Sequence, residues 1–431
     1  MKHSHHHIYK LIVLGGGNCQ VALLKYLHAQ GHHIILLDYL MEPPGKKYAH
    51  IHKMISTFDI SGIVDAARQL QADAIITAGT DQPVYAGACA SETLNLPFYI
   101  SSELAYALTH KKKMKSIFVQ HDIPTVKFGY LTKDLVEGDM GHLAVPIVVK
   151  PYDSQGQRGV LKVNHLAHLT EAVKESFSFT HESEILWESY YPNDEITVSG
   201  WVVEGTTHIL SVADRVTYDT EPHIGICTAH HYPSKYYNLH KETIIKLTED
   251  LVQAFGIIKG PIYFQMLVGN KGILVNETAA RIGGAFEDVY IKSLYGLDLN
   301  GLLLNDVLGI PNRLSSLNYM DTTRDVVNVI LFFAYPGTIA FLSDMNELLE
   351  EGLIIDGAFN FKEGDEISPI RNATGRAGHL VIIAQNINEL NKKTEAVLDC
   401  VVIKDQKGHN LLIRDAQAHY RGNWNNEVNN D

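Results

Sequence analysis

The run Ile273-Leu274-Val275-Asn276-Glu277-Thr278-Ala279-Ala280-Arg281-Ile282-Gly283-Gly284 decides how this chain is read. An apolar strand ends in a carboxylate, a cation follows four residues later, and two glycines turn the chain. A carboxylate and a guanidinium delivered together at a strand end make a site for a metal ion and an anion. Two upstream lysines extend the pattern. Lys111 stands in the basic run His110-Lys111-Lys112-Lys113-Met114-Lys115, and Lys150 closes the apolar strand Pro146-Ile147-Val148-Val149-Lys150. A lysine at a strand end beside a glycine loop, here Tyr152 to Gly159, meets phosphate oxygens as a point charge. Each residue alone reads as a solvated or paired charge. Their order along the chain points to phosphate chemistry.

A length of 431 residues implies two to four domains. The 45% hydrophobic and 20% charged content is that of a soluble globular protein. A net charge of -13 argues against a nucleic-acid partner, which needs a basic surface. Small anions need only a local positive pocket. Cys19, Cys89, Cys227 and Cys400 show no paired spacing, which argues against a disulfide framework and a thiolate zinc site and fits a reducing cytoplasm. No apolar run reaches the roughly 18–20 residues of a membrane span, and no signal-peptide pattern is present. The expectation is a cytoplasmic protein without a membrane partner. His3, His5, His6 and His7 are left out of the fold argument. The remaining histidines lack a metal-ligand pattern, with His223, His230 and His231 as candidates for a base.

Strands alternating with helices over residues 8–105 predict an α/β domain with a doubly wound parallel sheet. Leu11 to Leu14, Ile34 to Leu37 and Ala74 to Thr77 are its apolar strands. Gly15-Gly16-Gly17 follows the first strand, but Gln20 stands where a dinucleotide fingerprint asks for a third glycine. The turn is therefore read as packing rather than nicotinamide binding. Residues Ser102 to Pro124 read as helix, Ile185 to Tyr190 and Glu195 to Val203 as strands, and His240 to Phe255 as an amphipathic helix. Tyr263 to Val268 and Gly272 to Val275 read as a hairpin, and Phe286 to Leu308 as helix. Thr220-Glu221-Pro222-His223-Ile224-Gly225 reads as a substrate-specificity loop.

Taken together, these parts resemble the ATP-grasp superfamily, and within it the carboxylate–amine ligases such as L-amino acid ligases. Biotin-carboxylase-like and purine-pathway carboxylases are similar. The resemblance covers nearly the whole chain and implies three domains. These are the α/β domain at 8–105, a two-lobed α+β ATP-grasp domain at 106–310 and a small α+β domain at 311–424, before a polar tail at 425–431. The grasp lobes divide into about 112–187 and 188–310. By the resemblance, Lys111 and Lys150 bind ATP, and Ser154, Gly156 and Gly159 belong to the loop over the phosphates. Glu188 and Tyr190 form the hinge that reads adenine, and Glu195 binds ribose. Glu277 is the principal Mg²⁺ ligand, with Mn²⁺ as a substitute, and Arg281 faces an acyl phosphate beside Gly283 and Gly284. Arg324, Arg371, Arg376 and His379 are candidates for gripping a substrate carboxylate. Homodimers are usual in the resembling families.

The chain departs from the family pattern. His110 replaces an acid and Asp122 a glycine around the Lys111 helix. Ala279 stands where an asparagine follows the metal glutamate, and Gln265 where a second acidic ligand is usual. A glutamine oxygen holds Mg²⁺ more weakly than a carboxylate. The resemblance implies ATP-dependent amide formation between small carboxylate and amine substrates through an acyl phosphate. The alternatives are a bicarbonate-using carboxylase and a non-catalytic nucleotide binder.

Overall fold

The computed structural model describes residues 7–134, 143–316 and 318–414. The tail at 425–431, the end of the C-terminal segment at 415–424, and His3, His5 and His6 lie outside the described residues.

The N-terminal sheet has four parallel strands in the order Ile51–Met54, His33–Asp38, Lys10–Leu14, Ala74–Ile76. Its alternating side chains serve two cores. Leu11, Val13, Ile34 and Leu36 face the rest of the protein, while Ile12, Leu14, Ile35 and Leu37 pack under the outer helices. This is the doubly buried, apolar strand expected of a parallel sheet. The glycine turn is filled by protein groups. Gly16 N–H donates to Asp38 Oδ2 at 2.7 Å, and the Gln20 side chain donates to Ala78 O at 2.8 Å. A Cβ at Gly16 would meet Leu36 at 2.9 Å, so the glycine serves close packing.

The second sheet is long and antiparallel along its main path. Phe128–Thr132, Glu184–Ser189, Ile147–Lys150 and Leu161–Val163 form the smaller lobe, with helix Leu169–Phe177 in its core. Gly272–Ala279, Gly260–Gly269, Asp194–Val203, Thr206–Thr220 and His223–Tyr232 form the larger one. The lobes meet where His223 pairs with Leu161 and Lys162 N–H donates to Pro222 O at 2.8 Å. The C-terminal strand Val326–Phe332 then pairs with His223–Tyr232 on one side and Gly378–Ala384 on the other.

Three expectations need correction. The helix read over Ser102 to Pro124 is two, Ser102–Ala107 and Lys111–Gln120, because His110 is extended and restarts the chain. Phe286 to Leu308 likewise divides at Gly296 into Glu287–Tyr295 and Leu299–Leu308. The specificity loop is the tip of a long hairpin, with Thr220 paired to His223, and it reaches across to the smaller lobe.

Trp201 anchors the larger lobe. It is fully buried and its indole N–H donates to Asp306 Oδ2 at 2.8 Å. Trp201→Phe leaves a buried carboxylate short of a donor and opens a void, so urea unfolding should show a loss of about 2–4 kcal/mol. A loss below the error of the fit would contradict this role.

Candidate active site

Three elements bring their charged residues to one cleft. Helix Lys111–Gln120 begins with Lys111, strand Ile147–Lys150 ends with Lys150, and strand Gly272–Ala279 presents Glu277. Lys150 Nζ lies 3.5 Å and Lys111 Nζ 3.8 Å from Glu277 Oε1. Lys150 also donates to Asn276 Oδ1 at 3.2 Å, and Lys111 to the Ser154 carbonyl at 2.9 Å. Burial alone would raise the Glu277 pKa, but Lys111 and Lys150 outweigh it and hold the group below its ordinary value.

Glu188 is the counter-ion beneath these lysines. Its carboxylate sits between Lys115 Nζ at 2.6 Å and Lys150 Nζ at 2.8 Å, and all three side chains are buried. Burial would push Glu188 up, yet the two ammonium groups prevail and bring it down to about 2. Burial pushes Lys115 down, whereas Lys150 ends above its usual range because Glu188 and Glu277 outweigh its burial. The Glu188 side chain therefore orients Lys150, and its strand leads on to Tyr190.

Gln265 faces Glu277 directly across the hairpin. One carboxylate and one amide oxygen on adjacent strands suit Mg²⁺, which keeps few protein ligands and takes the rest from phosphates and water. Ser154 Oγ is buried without a partner among the described residues, in the loop where phosphate oxygens are expected. Gly156 and Gly159 have φ of +67° and +71°, and a Cβ at Gly159 would meet Phe179 at 2.9 Å, so this loop needs glycine there.

A cleft of about 80 Å³ runs along Lys150, Glu188, Tyr190 and Glu195. Glu195 pairs with Arg215 at 2.5 Å across adjacent strands, and Arg215 also donates to Gly225 O at 3.0 Å. Gln157 and Glu277 border both this cleft and a larger cavity of about 250 Å³. The larger cavity holds Lys111, Gln265, Arg281, Gly284 and Arg376. Arg281 Nε donates to Asp81 Oδ1 at 2.6 Å, and its guanidinium lies 4.4 Å from the Tyr263 ring centroid.

The structure does not bring every expected residue here. Gly283 lies behind the cavity wall, where a Cβ would run into the Glu287 carboxyl. His379 faces a separate groove, bonded to Asp356 at 2.9 Å and stacked on Phe286 at 3.6 Å. Its strand directs it away from the cavity, while Arg376 just before that strand points in. Arg324 and Arg371 are exposed.

Sequence reading missed Lys115, Asp81 and Arg215. Lys115 stands four residues after Lys111, on the same helix face, which was a usable signal. Asp81 follows strand Ala74–Ile76, at the strand end where open α/β sheets carry ligand groups. Arg215 had no signal without the hairpin register that sets it opposite Glu195.

Comparison with known proteins agrees with this layout. Residues 143–288 match the ATP-grasp domain profile. Over that segment the chain is similar to an ATP-grasp domain. The fold extends beyond that segment. An L-amino acid ligase from Bacillus licheniformis superposes with a TM-score of 0.77 at 20% identity, over 92% of this chain and 99% of that one. Phosphoribosylglycinamide synthetase from Anaerococcus prevotii gives 0.72 at 15%, over 93% and 100%. In sequence, a D-alanine–D-alanine ligase from Flavobacterium psychrophilum is 30% identical over 188 residues, 42% of this chain and 55% of its own. Dapdiamide A synthase from Enterobacter agglomerans is 23% identical over 232 residues, 51% and 53%. The chain spans about half the length of the curated relatives it matches.

Within the matched segment the turn after Arg281 rests on Glu287. Its Oε2 accepts from Ala285 N–H at 2.9 Å, Oε1 has no partner among the described residues, and the side chain is fully buried. Burial pushes this carboxyl up to about 7. A raised carboxyl leaves its stability intact below the ordinary value of 4.5 and loses it as pH rises through about 7. Glu287→Gln should therefore gain up to about 3 kcal/mol over the parent at pH 8 and little at pH 4. Chemical unfolding at both pH values checks this, and an equal effect at each would contradict it.

Proposed function

We propose that the chain is an ATP-dependent ligase that forms an amide bond between a small carboxylate, favoured as an amino acid, and an amine, releasing ADP and phosphate. The observation that carries this reading is the convergence of Lys111, Lys150 and Glu277, each from a different element, beside a cavity that also holds Arg281. The relatives named as D-alanine–D-alanine ligase and dapdiamide A synthase support the same class.

A carboxylate is a poor acyl donor because oxide is a poor leaving group. Its oxygen attacks the γ-phosphorus of ATP, the bond to the ADP oxygen breaks, and an acyl phosphate results. The amine then attacks the carbonyl, phosphate departs with the substrate oxygen, and the ammonium protons are lost. Lys111 and Lys150 hold the phosphates, and Arg281 steadies the charge on the reacting oxygens. Glu277 and Gln265 would hold Mg²⁺, which when bound neutralises phosphate charge. The Ser154–Gly159 loop covers the phosphates and excludes water from the intermediate. Asp81 keeps Arg281 aimed without removing its charge. The homodimer expected from the resemblance, and the reducing compartment expected from the cysteines, remain part of this proposal.

The test is phosphate release from ATP and Mg²⁺ against single and paired amino acids, with a bicarbonate arm and mass spectrometry of active wells. The expected result is phosphate only with particular pairs, beside a product one water lighter than their sum. Dependence on bicarbonate would move the reading to a carboxylase. In the active assay, Lys150→Ala and Glu277→Ala should each lower kcat by about 10³-fold or more while circular dichroism stays unchanged. Near-normal turnover by either folded variant would contradict the assignment.

A further inference from the structure

The groove that takes His379 has a volume of about 940 Å³ and shares no lining residue with the reaction cavity. The two lie on either side of one wall. Cys19, Ala285 and Arg376 border the cavity, whereas Asn18, Phe286 and His379 border the groove. Segments far apart in the chain build it: helix Asn18–Ala29, helices Glu287–Tyr295 and Leu299–Leu308, and strands Asp356–Phe359 and Gly378–Ala384. The ligase chemistry makes no use of this space.

Its charges do not balance locally. Asp298 pairs with Lys292 at 2.7 Å, and Asp356 is bonded to His379 at 2.9 Å. Asp288 differs. It is buried, its Oδ2 accepts from Asn300 Nδ2 at 3.0 Å, and no ion pair to it is found among the described residues. Burial pushes its carboxyl up to about 6, and Asp356 adds to that against the Asn300 bond. The group is still mostly ionised at neutral pH. Asn300 is buried as well, and its Oδ1 has no partner among the described residues. Lys25 and Lys47 also line the groove, but both are exposed and neither is among the groups acting most on Asp288.

A buried carboxylate beside a buried amide oxygen, both short of donors, calls for a cation that brings several N–H groups. Among the described residues no three acids, histidines or cysteines stand close enough together to hold a metal ion. An organic ammonium fits, because Tyr26, Leu349, Ile355 and Phe359 give the same groove apolar walls for a carbon body. A helix start by itself favours a carboxylate at Asp288, but it does not account for the second unsatisfied acceptor. We propose that this groove is a second ligand site, which seats a small organic ammonium ion against Asp288 and Asn300. The site is separate from the reaction cavity and does not depend on the ligase reading.

The experiment is calorimetric titration of the full chain with phenethylamine, isoamylamine and cadaverine, each beside its N-acetylated form, with and without Mg²⁺ and a non-hydrolysable ATP analogue. At least one amine should bind once per chain in both conditions, about 10- to 100-fold tighter than its acetylated form, the range of a charge-assisted pair. Asp288→Asn should remove that gap and leave the affinity for the ATP analogue unchanged. No amine binding, equal binding of amine and acetylated form, or a gap that survives Asp288→Asn would each overturn the proposal. A crystal structure of the parent chain with the tightest amine needs no variant. An ammonium bonded to Asp288 would support the site, whereas an amine seated in the reaction cavity, or a groove filled by a second copy of the chain, would overturn it.

Discussion

The site depends on the buried ion cluster Lys115–Glu188–Lys150, with Glu277 at its edge. Two ammonium groups cannot share a dry cleft unless a carboxylate lies between them, and Glu188 lies within 2.8 Å of both. The cluster fixes Lys150 at the end of its strand and leaves its remaining hydrogens toward Asn276 and Glu277. Because Glu188 belongs to the smaller lobe and Glu277 to the larger, Lys150 is also a charged link between lobes. The two ammonium groups are thus held in a fixed arrangement at the cleft, which suits the polyanion proposed for it.

The outer segments complete the cavity from two sides. The N-terminal sheet contributes Asp81, which holds Arg281, and Gly79, whose carbonyl lies 2.8 Å from where a Gly284 Cβ would stand. That close approach explains a glycine at 284 without appeal to a ligand. The C-terminal segment contributes Arg376 and, through Ala373, a hydrogen bond to Gly156 in the Ser154–Gly159 loop. The groups that line the cavity therefore come from segments far apart in sequence: strand pairing joins the central and C-terminal segments, and a shared core joins the separate N-terminal sheet to them.

Much of this was legible in the residues. Apolar strands alternating with helices gave the N-terminal sheet, because a parallel sheet buries both faces and leaves near-continuous apolar runs. Lys150 and Glu277 stood out because each ends such a strand. Pairwise geometry was less accessible. That Glu188 would bind lysines with its side chain depended on Lys115, a residue hidden in a basic run. That Arg215 would meet Glu195 depended on the register between Asp194–Val203 and Thr206–Thr220, which no local pattern sets. His379 and Arg376 looked alike in one glycine-flanked segment, but strand direction turned one into a groove and the other into the cavity. Local pattern identifies which residues end strands, whereas register and pairing decide what those residues touch.

The most direct measurement of the central claim is oxygen transfer in a reacting substrate pair. The carboxylate substrate is labelled with ¹⁸O and the released phosphate is examined by mass spectrometry. The account predicts one ¹⁸O atom from the carboxylate in each phosphate, because the carboxylate oxygen attacks phosphorus and leaves with it. Unlabelled phosphate formed in step with amide product would contradict the acyl-phosphate route and the roles given to Lys150, Glu277 and Arg281.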